Sequence, residues 1–329
     1  MTVRWGVIGP GRIADKVVGD FGHVPGAELV AVASRSAERG AAFARRHGIP
    51  RVHDSYQAII DDPDVDVVYV ATPHPQHRGI ALAALNAGTA VLVEKAFTVS
   101  SVGTREVAAA ARGTGVFAME AMWTRFFPAV LRMRELIADG AIGEVRGVQA
   151  DLGVRNETGP DDRFYSSELG GGALFDLGVY VISFAQMVLG NPTDVLARGT
   201  LAETGVDVEE SIVLGYPDGR SAALYCSLQC ATPGSARVVG TDGWIEVPPR
   251  FHHPDGVVLH RPGAEPEQIS APSLGAGYAH ELIEVTERIA AGEPESAIMP
   301  LSDTIAVQDV MAAVADQLGM VPVEGPVDL

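Results

Sequence analysis

A chain of 329 residues has room for two domains that each bury a core. With 47% hydrophobic and 20% charged residues it has the composition of an ordinary globular protein. A formal net charge of −18 argues against nucleic acid and anionic membrane surfaces as partners, and it requires any anionic ligand to be held by a local concentration of donors. No apolar run approaches the roughly 20 residues that cross a bilayer. The opening MTVRWGVIG passes into a strand pattern without a signal-peptide signature, so a cytoplasmic location is expected. Cys226 and Cys230 have neither zinc-ribbon nor redox-pair spacing and are expected to be buried free thiols.

The first 122 residues alternate short apolar runs (VRWGVIG, ELVAVAS, VDVVYVAT, AVLVEK, VFAMEAM) with Ala-rich segments of helical spacing that close on glycine. Continuous apolar strands separated by helices indicate a parallel sheet covered on both faces. The expected fold is α/β, with a doubly wound Rossmann domain over residues 1–122. In GVIGPGRIA, Gly9, Gly11 and Ala14 form a G-x-G-x-x-A turn between the first strand and first helix. Gly9 suits the tight turn, and Gly11 lets backbone N–H groups approach a pyrophosphate. Arg12 and Ile13 open the helix whose N-terminus adds partial positive charge. At the end of the second strand an NAD site usually carries Asp or Glu for the ribose hydroxyl. Here stand Ser34 and Arg35, with Arg39 beyond, so NADP is favoured and NAD remains possible.

Ligands of open α/β sheets bind outside the carboxyl ends of the strands. Thr72, Pro73 and His74 of ATPHPQH fall at such an end, as do Glu94 and Lys95 of VLVEKA. His74 and His77 alone are half a metal site, with no cysteine or carboxylate pair to complete it. No metal is expected; lining the cleft or capping the following helix is the better reading. A lysine at this edge places positive charge against an oxygen whose charge changes in hydride transfer.

After Trp123 the texture changes. PAVLRMRELIADG reads as a helix, IGEVRGVQADLGVR as a half-exposed strand, and GGGALFDLGVYVISFAQMVLG as a helix. Alternating runs between Val195 and His260, with turns at YPDGR and GTDGW, read as a mostly antiparallel sheet. Two helices follow. Residues 123–329 are thus expected to form an α+β domain with an open sheet. Asp176 and Tyr180, four apart, share a helix face behind the glycines Gly170 to Gly172. The polar loop VRNETGPDDRFYSSE offers Arg155, Asn156 and Arg163 for substrate hydroxyls, while His252 and His253 fall in a turn-like region where solvation is expected.

GVIGPGRIA, VEKA and GGGALFDLGVY together resemble the Gfo/Idh/MocA oxidoreductases. TPHPQH with EAMWTRFFP is similar to the branch containing the dimeric dihydrodiol dehydrogenases and NADP-dependent D-xylose 1-dehydrogenases. The resemblance implies a dinucleotide domain and a second domain whose open sheet forms a homodimer contact. It also implies Lys95 as motif lysine, Asp176 as motif aspartate and Tyr180 as acid/base residue, with Trp123 and Arg125 lining the cofactor and substrate cleft. The family motif is usually Glu-Lys-Pro, whose proline can take a cis peptide. Here Ala96 follows, and a cis bond to alanine costs roughly 2.5–4 kcal/mol, so a trans peptide is expected.

The implied reaction is reversible hydride transfer to or from the carbon of a secondary alcohol or hemiacetal in a sugar, cyclic polyol or dihydrodiol. A phenol ionises near pH 10, so a tyrosine base near pH 7 needs its anion stabilised by about 4 kcal/mol, part of it from a lysine ammonium. Either Tyr180 or Lys95 carries the proton in this scheme, with Asp176 as orienter. The family also contains NAD-dependent glycosidases that recycle the cofactor, and regulatory relatives that bind dinucleotide or sugar without turnover. Retention of Lys95, Asp176 and Tyr180 together argues against the regulatory reading.

Overall fold

A computed structural model describes residues 1–159 and 162–329; Pro160 and Asp161, part of the polar loop named above, lie outside the described residues. The chain forms two compact units. One comprises Met1–Trp123, Leu274–Ile305 and Glu324–Leu329, the other Thr124–Ser273 and Ala306–Val323. The chain thus returns to its first unit twice, which a boundary drawn between residues 122 and 123 leaves out.

In the first unit β1 (Val3–Ile8), β2 (Ala27–Ala33), β3 (Arg51–His53), β4 (Val67–Val70), β5 (Ala90–Glu94) and β6 (Ala118–Ala121) form a parallel sheet in the order β3-β2-β1-β4-β5-β6. Every residue of β4, β5 and β6 is buried, which is why these strands carry no polar alternation. The sequence pattern missed β3, whose three residues include a single apolar side chain, Val52. The connecting helices are α1 (Arg12–Gly19), α2 (Ala37–His47), α3 (Tyr56–Ile60), α4 (His74–Ala87) and α5 (Ser101–Thr114). Serine hydroxyls of Ser36, Ser55 and Ser100 cap α2, α3 and α5, and α2, α4 and α5 end on left-handed glycines. Strand order reverses between β1 and β4, so the crevice at their carboxyl ends is the switch point of this sheet.

In the second unit α6 (Pro128–Ala138) precedes an eight-stranded sheet: β7 (Val145–Gly153), β8 (Asp194–Leu201), β9 (Asp207–Gly215), β10 (Ser221–Ser227), β11 (Ala236–Gly240), β12 (Trp244–Val247), β13 (Gly256–His260) and β14 (Glu267–Ser270). The order is β14-β13-β12-β11-β7-β10-β9-β8, and every neighbouring pair is antiparallel except β7 with β10. Val148, Leu152, Ile212, Leu224 and Val238 face a buried side. On the opposite face the register aligns Leu196 with Val213, and Val239 with Trp244, all exposed.

The buried side is covered by α7 (Val179–Leu189). The stretch Ser167–Leu189 corrects one expectation, because by length and composition it is apolar enough to cross a membrane. Its apolarity serves the core instead: 78% of its most apolar window is buried within the fold. The thiols divide as well, Cys226 being buried and Cys230 only half-buried, since Cys230 lies beyond the end of β10.

The chain re-enters the first unit through α8 (Ala279–Ala291). Asp20, buried behind α1, accepts the N–H groups of Tyr278 at 2.8 Å and Ala279 at 3.2 Å, capping α8 from a distant part of the sequence. The indole of Trp5 donates to Thr286 at 3.3 Å on the same helix. Finally α9 (Leu301–Leu318) begins in the first unit and continues in the second.

Candidate active site

In the first unit, the turn after β1 is set by close approach. Gly9 has φ +87°, and a Cβ there would stand 3.0 Å from the Ala71 carbonyl oxygen, just past β4. Its N–H donates to Ala33 of β2 at 3.3 Å, so the turn is fixed between its two neighbouring strands. Gly11 opens α1, where a Cβ would meet only the Gly9 carbonyl oxygen, at 4.0 Å, and Arg12 and Ile13 follow at the helix start. The Thr72 hydroxyl is buried with no hydrogen-bond partner among the described residues. A small-residue turn, a helix N-terminus and a waiting hydroxyl at the switch point fit the pyrophosphate of a dinucleotide.

At the end of β2, Ser34 is buried and accepts the Ser36 N–H at 3.2 Å. Arg35 and Arg39 are exposed, and no carboxylate pairs with either among the described residues.

The two histidines of H-P-Q-H grip backbone. His74 Nε2 lies 3.1 Å from the Lys95 carbonyl oxygen, while His77 Nδ1 lies 3.0 Å from that of Ala96 and Nε2 2.8 Å from that of Thr72. An imidazolium would satisfy both of the latter carbonyls, but complete burial pushes the His77 pKa down to about 3. The ring is therefore neutral and donates to one of them. The Lys95–Ala96 peptide is cis, not trans as expected. The expectation weighed only the intrinsic preference of the peptide and not its tertiary setting, where His74 Nε2 lies against the Lys95 carbonyl and His77 Nδ1 near that of Ala96. Pro73 lies half-buried immediately before α4.

Lys95 is half-buried directly after β5. Glu94 points into the fold, where it accepts the hydroxyl of Tyr69 and, at 3.2 Å, the backbone N–H of Lys95. Burial and the Glu94 charge push the Tyr69 phenol well above its ordinary pKa, and the same two causes hold Glu281 of α8 well above the carboxylate range. Trp123 stacks on Tyr278 with ring centroids 4.2 Å apart, a long-range contact that local sequence pattern does not disclose. Among the described residues no group of three or more His, Cys, Asp or Glu side chains is placed to hold a metal.

In the second unit the glycines bring the chain close to β9: a Cβ on Gly172, at φ +115°, would stand 2.1 Å from Asp207 Oδ1. The helix then opens with one widened π turn, Leu174–Gly178, which carries Asp176, and continues as α7 with Tyr180 in its first turn. Asp176 is buried and its Oδ1 accepts from Arg163 at 2.9 Å, so two residues predicted separately form one ion pair. Of the other loop residues, Arg155 is exposed and paired with Glu157 at 3.1 Å. The side-chain oxygen of Asn156 accepts the Thr158 N–H at 2.9 Å. Arg125 is buried and donates to the Ser183 hydroxyl at 3.1 Å and to Gln186 at 2.6 Å, which spends it on fixing α7.

Tyr180 is 9% exposed, and the ring of His252 lies against it with centroids 5.1 Å apart. This corrects the expectation of a solvated His252. Phe251, fully buried, packs on Phe184 one helical turn beyond Tyr180, and the Thr124 hydroxyl donates to the His252 carbonyl at 2.7 Å. The aromatic Phe251 immediately before the two histidines was the available signal of an anchored loop. His253 is half-buried too, 6.5 Å from the ring of Phe127.

Residues 3–122 match the model of the oxidoreductase family with an NAD-binding Rossmann fold, and residues 130–246 match the GFO/IDH/MocA C-terminal domain. Fold and sequence define a nicotinamide-dependent oxidoreductase. The chain belongs to the Gfo/Idh/MocA family. It is 38% identical to trans-1,2-dihydrobenzene-1,2-diol dehydrogenase of Xenopus laevis across 97% of this chain and 99% of that protein. It is 34% identical to the Homo sapiens enzyme of the same name, across 97% and 98%. Similar solved structures include the aldose-aldose oxidoreductase of Caulobacter crescentus complexed with glycerol (TM-score 0.88, 26% identity, 97% and 98% covered). Another is a 3-ketoreductase of Actinomadura kijaniata in complex with NADP and TDP-benzene (TM-score 0.84, 27% identity, 96% and 98% covered).

Proposed function

We propose that this chain is an NADP-dependent dehydrogenase that moves a hydride between nicotinamide and the carbinol or hemiacetal carbon of a small polyhydroxylated substrate, a sugar, cyclic polyol or dihydrodiol. The observation that carries the reading is Lys95: a half-buried cation at the carboxyl edge of β5, in the same sheet as the dinucleotide turn, with its carbonyl held by His74. Support for the 2′-phosphate comes from Arg35 and Arg39, two exposed guanidiniums with no carboxylate partner among the described residues, at and just beyond the position where an NAD site carries an acid. Support for the substrate class comes from the dihydrodiol and aldose enzymes named above.

The bound nicotinamide supplies or accepts the hydride; the chain handles the proton. Tyr180, as its phenolate, takes the hydroxyl proton during oxidation and, as the phenol, returns it during reduction. The Lys95 ammonium stabilises the oxygen as its negative charge grows. Asp176, held by Arg163, orients the groups around the reacting oxygen. The test is a panel of aldoses, inositols and dihydrodiols offered with NADP+ and NAD+, followed at the nicotinamide absorbance band. Reduction of NADP+ by a member of the panel supports the assignment; hydrolysis of glycosides without net NADPH would replace it.

The outer face of the second-unit sheet, with Val213, Leu196, Val239 and Trp244 exposed on one side, is assigned to a second copy of the chain. Val213→Glu should convert a dimer to a monomer in light scattering, and an unchanged mass would remove this face from assembly.

A further inference from the structure

Behind the π turn three enclosed polar side chains take no part in the chemistry above: Asp207 and Glu210 of β9 and Cys226 of β10, at 0%, 1% and 0% exposure. Asp207 Oδ2 accepts the N–H of Leu174, the first residue of the turn, at 2.6 Å. The Cys226 thiol donates to Glu210 Oε1 at 2.6 Å. A Cβ on Gly178, the last residue of the turn, would lie 3.1 Å from both that oxygen and the sulfur. One carboxyl therefore abuts each end of the turn that carries Asp176. The remaining oxygens, Asp207 Oδ1 and Glu210 Oε2, have no donor against them among the described residues. Two enclosed carboxylates cannot both remain charged without a cation between them.

We propose that Asp207 and Glu210 share one proton, carried on Glu210, and that this carboxyl pair is the positioning device for the turn bearing Asp176. The mechanistic part of this inference rests on the role given to Asp176 above. The charge environment favours it. Burial first, then the neighbouring Asp207 charge, hold Glu210 well above the carboxylate range, and burial raises Asp207 as well. The titratable groups facing the pair are Cys226 from β10, Glu209 from β9 itself and Asp176 from the turn. The Cys226 thiol is itself pushed up by burial and by Glu210, so it stays protonated and donates.

A carboxyl with a raised folded-state pKa stabilises the fold fully below its unfolded value, and that contribution is lost as pH rises through the folded value. The wild-type melting temperature should therefore decline with rising pH above the ordinary carboxylate range. Glu210→Gln, whose amide stands in for the protonated acid, should flatten that decline. It should also remove an infrared band of a protonated carboxyl and keep kcat within about twofold of wild type. Asp207→Ala should lower kcat by about tenfold or more with KM for the cofactor unchanged, through misplacement of Asp176. If Asp207→Ala does not fold, Glu210→Gln carries the test alone. Glu210→Gln curves of melting temperature against pH and infrared spectra that superimpose on wild type would overturn the proposal. Both readouts use the protein without substrate, so they decide the carboxyl pair even where the dehydrogenase reading fails.

Discussion

Replacing Arg163 by Met removes the guanidinium from Asp176 while keeping an unbranched stem beside the Phe164 ring, over which the guanidinium carbon now sits at 4.5 Å. The ion pair spans 2.9 Å, with side-chain exposure of 36% for Arg163 and 7% for Asp176. A hydrogen bond to a charged group contributes about 1.5–3 kcal/mol. Solvent at the arginine end weakens the pair, which places it in the lower half of that range, about 1.5–2 kcal/mol. At roughly 1.4 kcal/mol per tenfold in rate, kcat/KM should fall about 10- to 30-fold. Steady-state NADP+ reduction, with kcat and KM fitted separately and melting temperature measured alongside, reads the outcome. A loss confined to kcat fits Arg163 as the holder of Asp176, and a loss confined to KM moves it to substrate recognition. Unchanged kcat and KM in a folded variant would refute the reasoning about this pair.

Arg35→Asp replaces a guanidinium by a charge that repels a 2′-phosphate and accepts from a ribose hydroxyl. KM for NADP+ should rise about tenfold or more while that for NAD+ falls, and an unchanged preference would remove Arg35 from cofactor selection. His77 binds a proton less readily folded than unfolded, its pKa falling from 6.5 to about 3. The unfolded chain therefore takes up more protons as pH drops, so His77 erodes stability progressively from about pH 6.5 towards pH 3. His77→Asn should lessen the acid-side slope of melting temperature against pH, and an identical slope would show that His77 is not buried neutral.

Much of the first unit was legible because its strands are buried on both faces and carry unbroken apolar runs, and because G-x-G-x-x-A sits between a strand and a helix. β3 was not, since an edge strand of three residues buries too little to leave a pattern. Nor was the return of Tyr278 and α8 to the first unit, which rests on Asp20 accepting N–H groups more than two hundred residues away. Local periodicity says nothing about such long-range capping.

In the site, residue types were legible but their partners were not. Lys95 is singled out by its place at a strand's carboxyl end, Asp176 and Tyr180 by the family resemblance. That His74 and His77 hold the carbonyls beside Lys95 depends on side chains from α4 reaching past β5, a tertiary fact. Arg163 was read as a substrate contact; that it meets Asp176, thirteen residues on, depends on the intervening glycines folding the loop back. His252 was read as solvated because its segment looks like a turn, while Phe251 anchors that turn in the core.

Single and double replacements of Tyr180 by Phe and Lys95 by Met, compared by kcat with NADP+, test the central claim most directly. Under the proposed mechanism Tyr180→Phe should lose about a hundredfold or more, and the double variant should be little worse than the more damaged single one, as sharing of one proton transfer requires. A near-wild-type rate for Tyr180→Phe, or losses that simply multiply in the double variant, would contradict it.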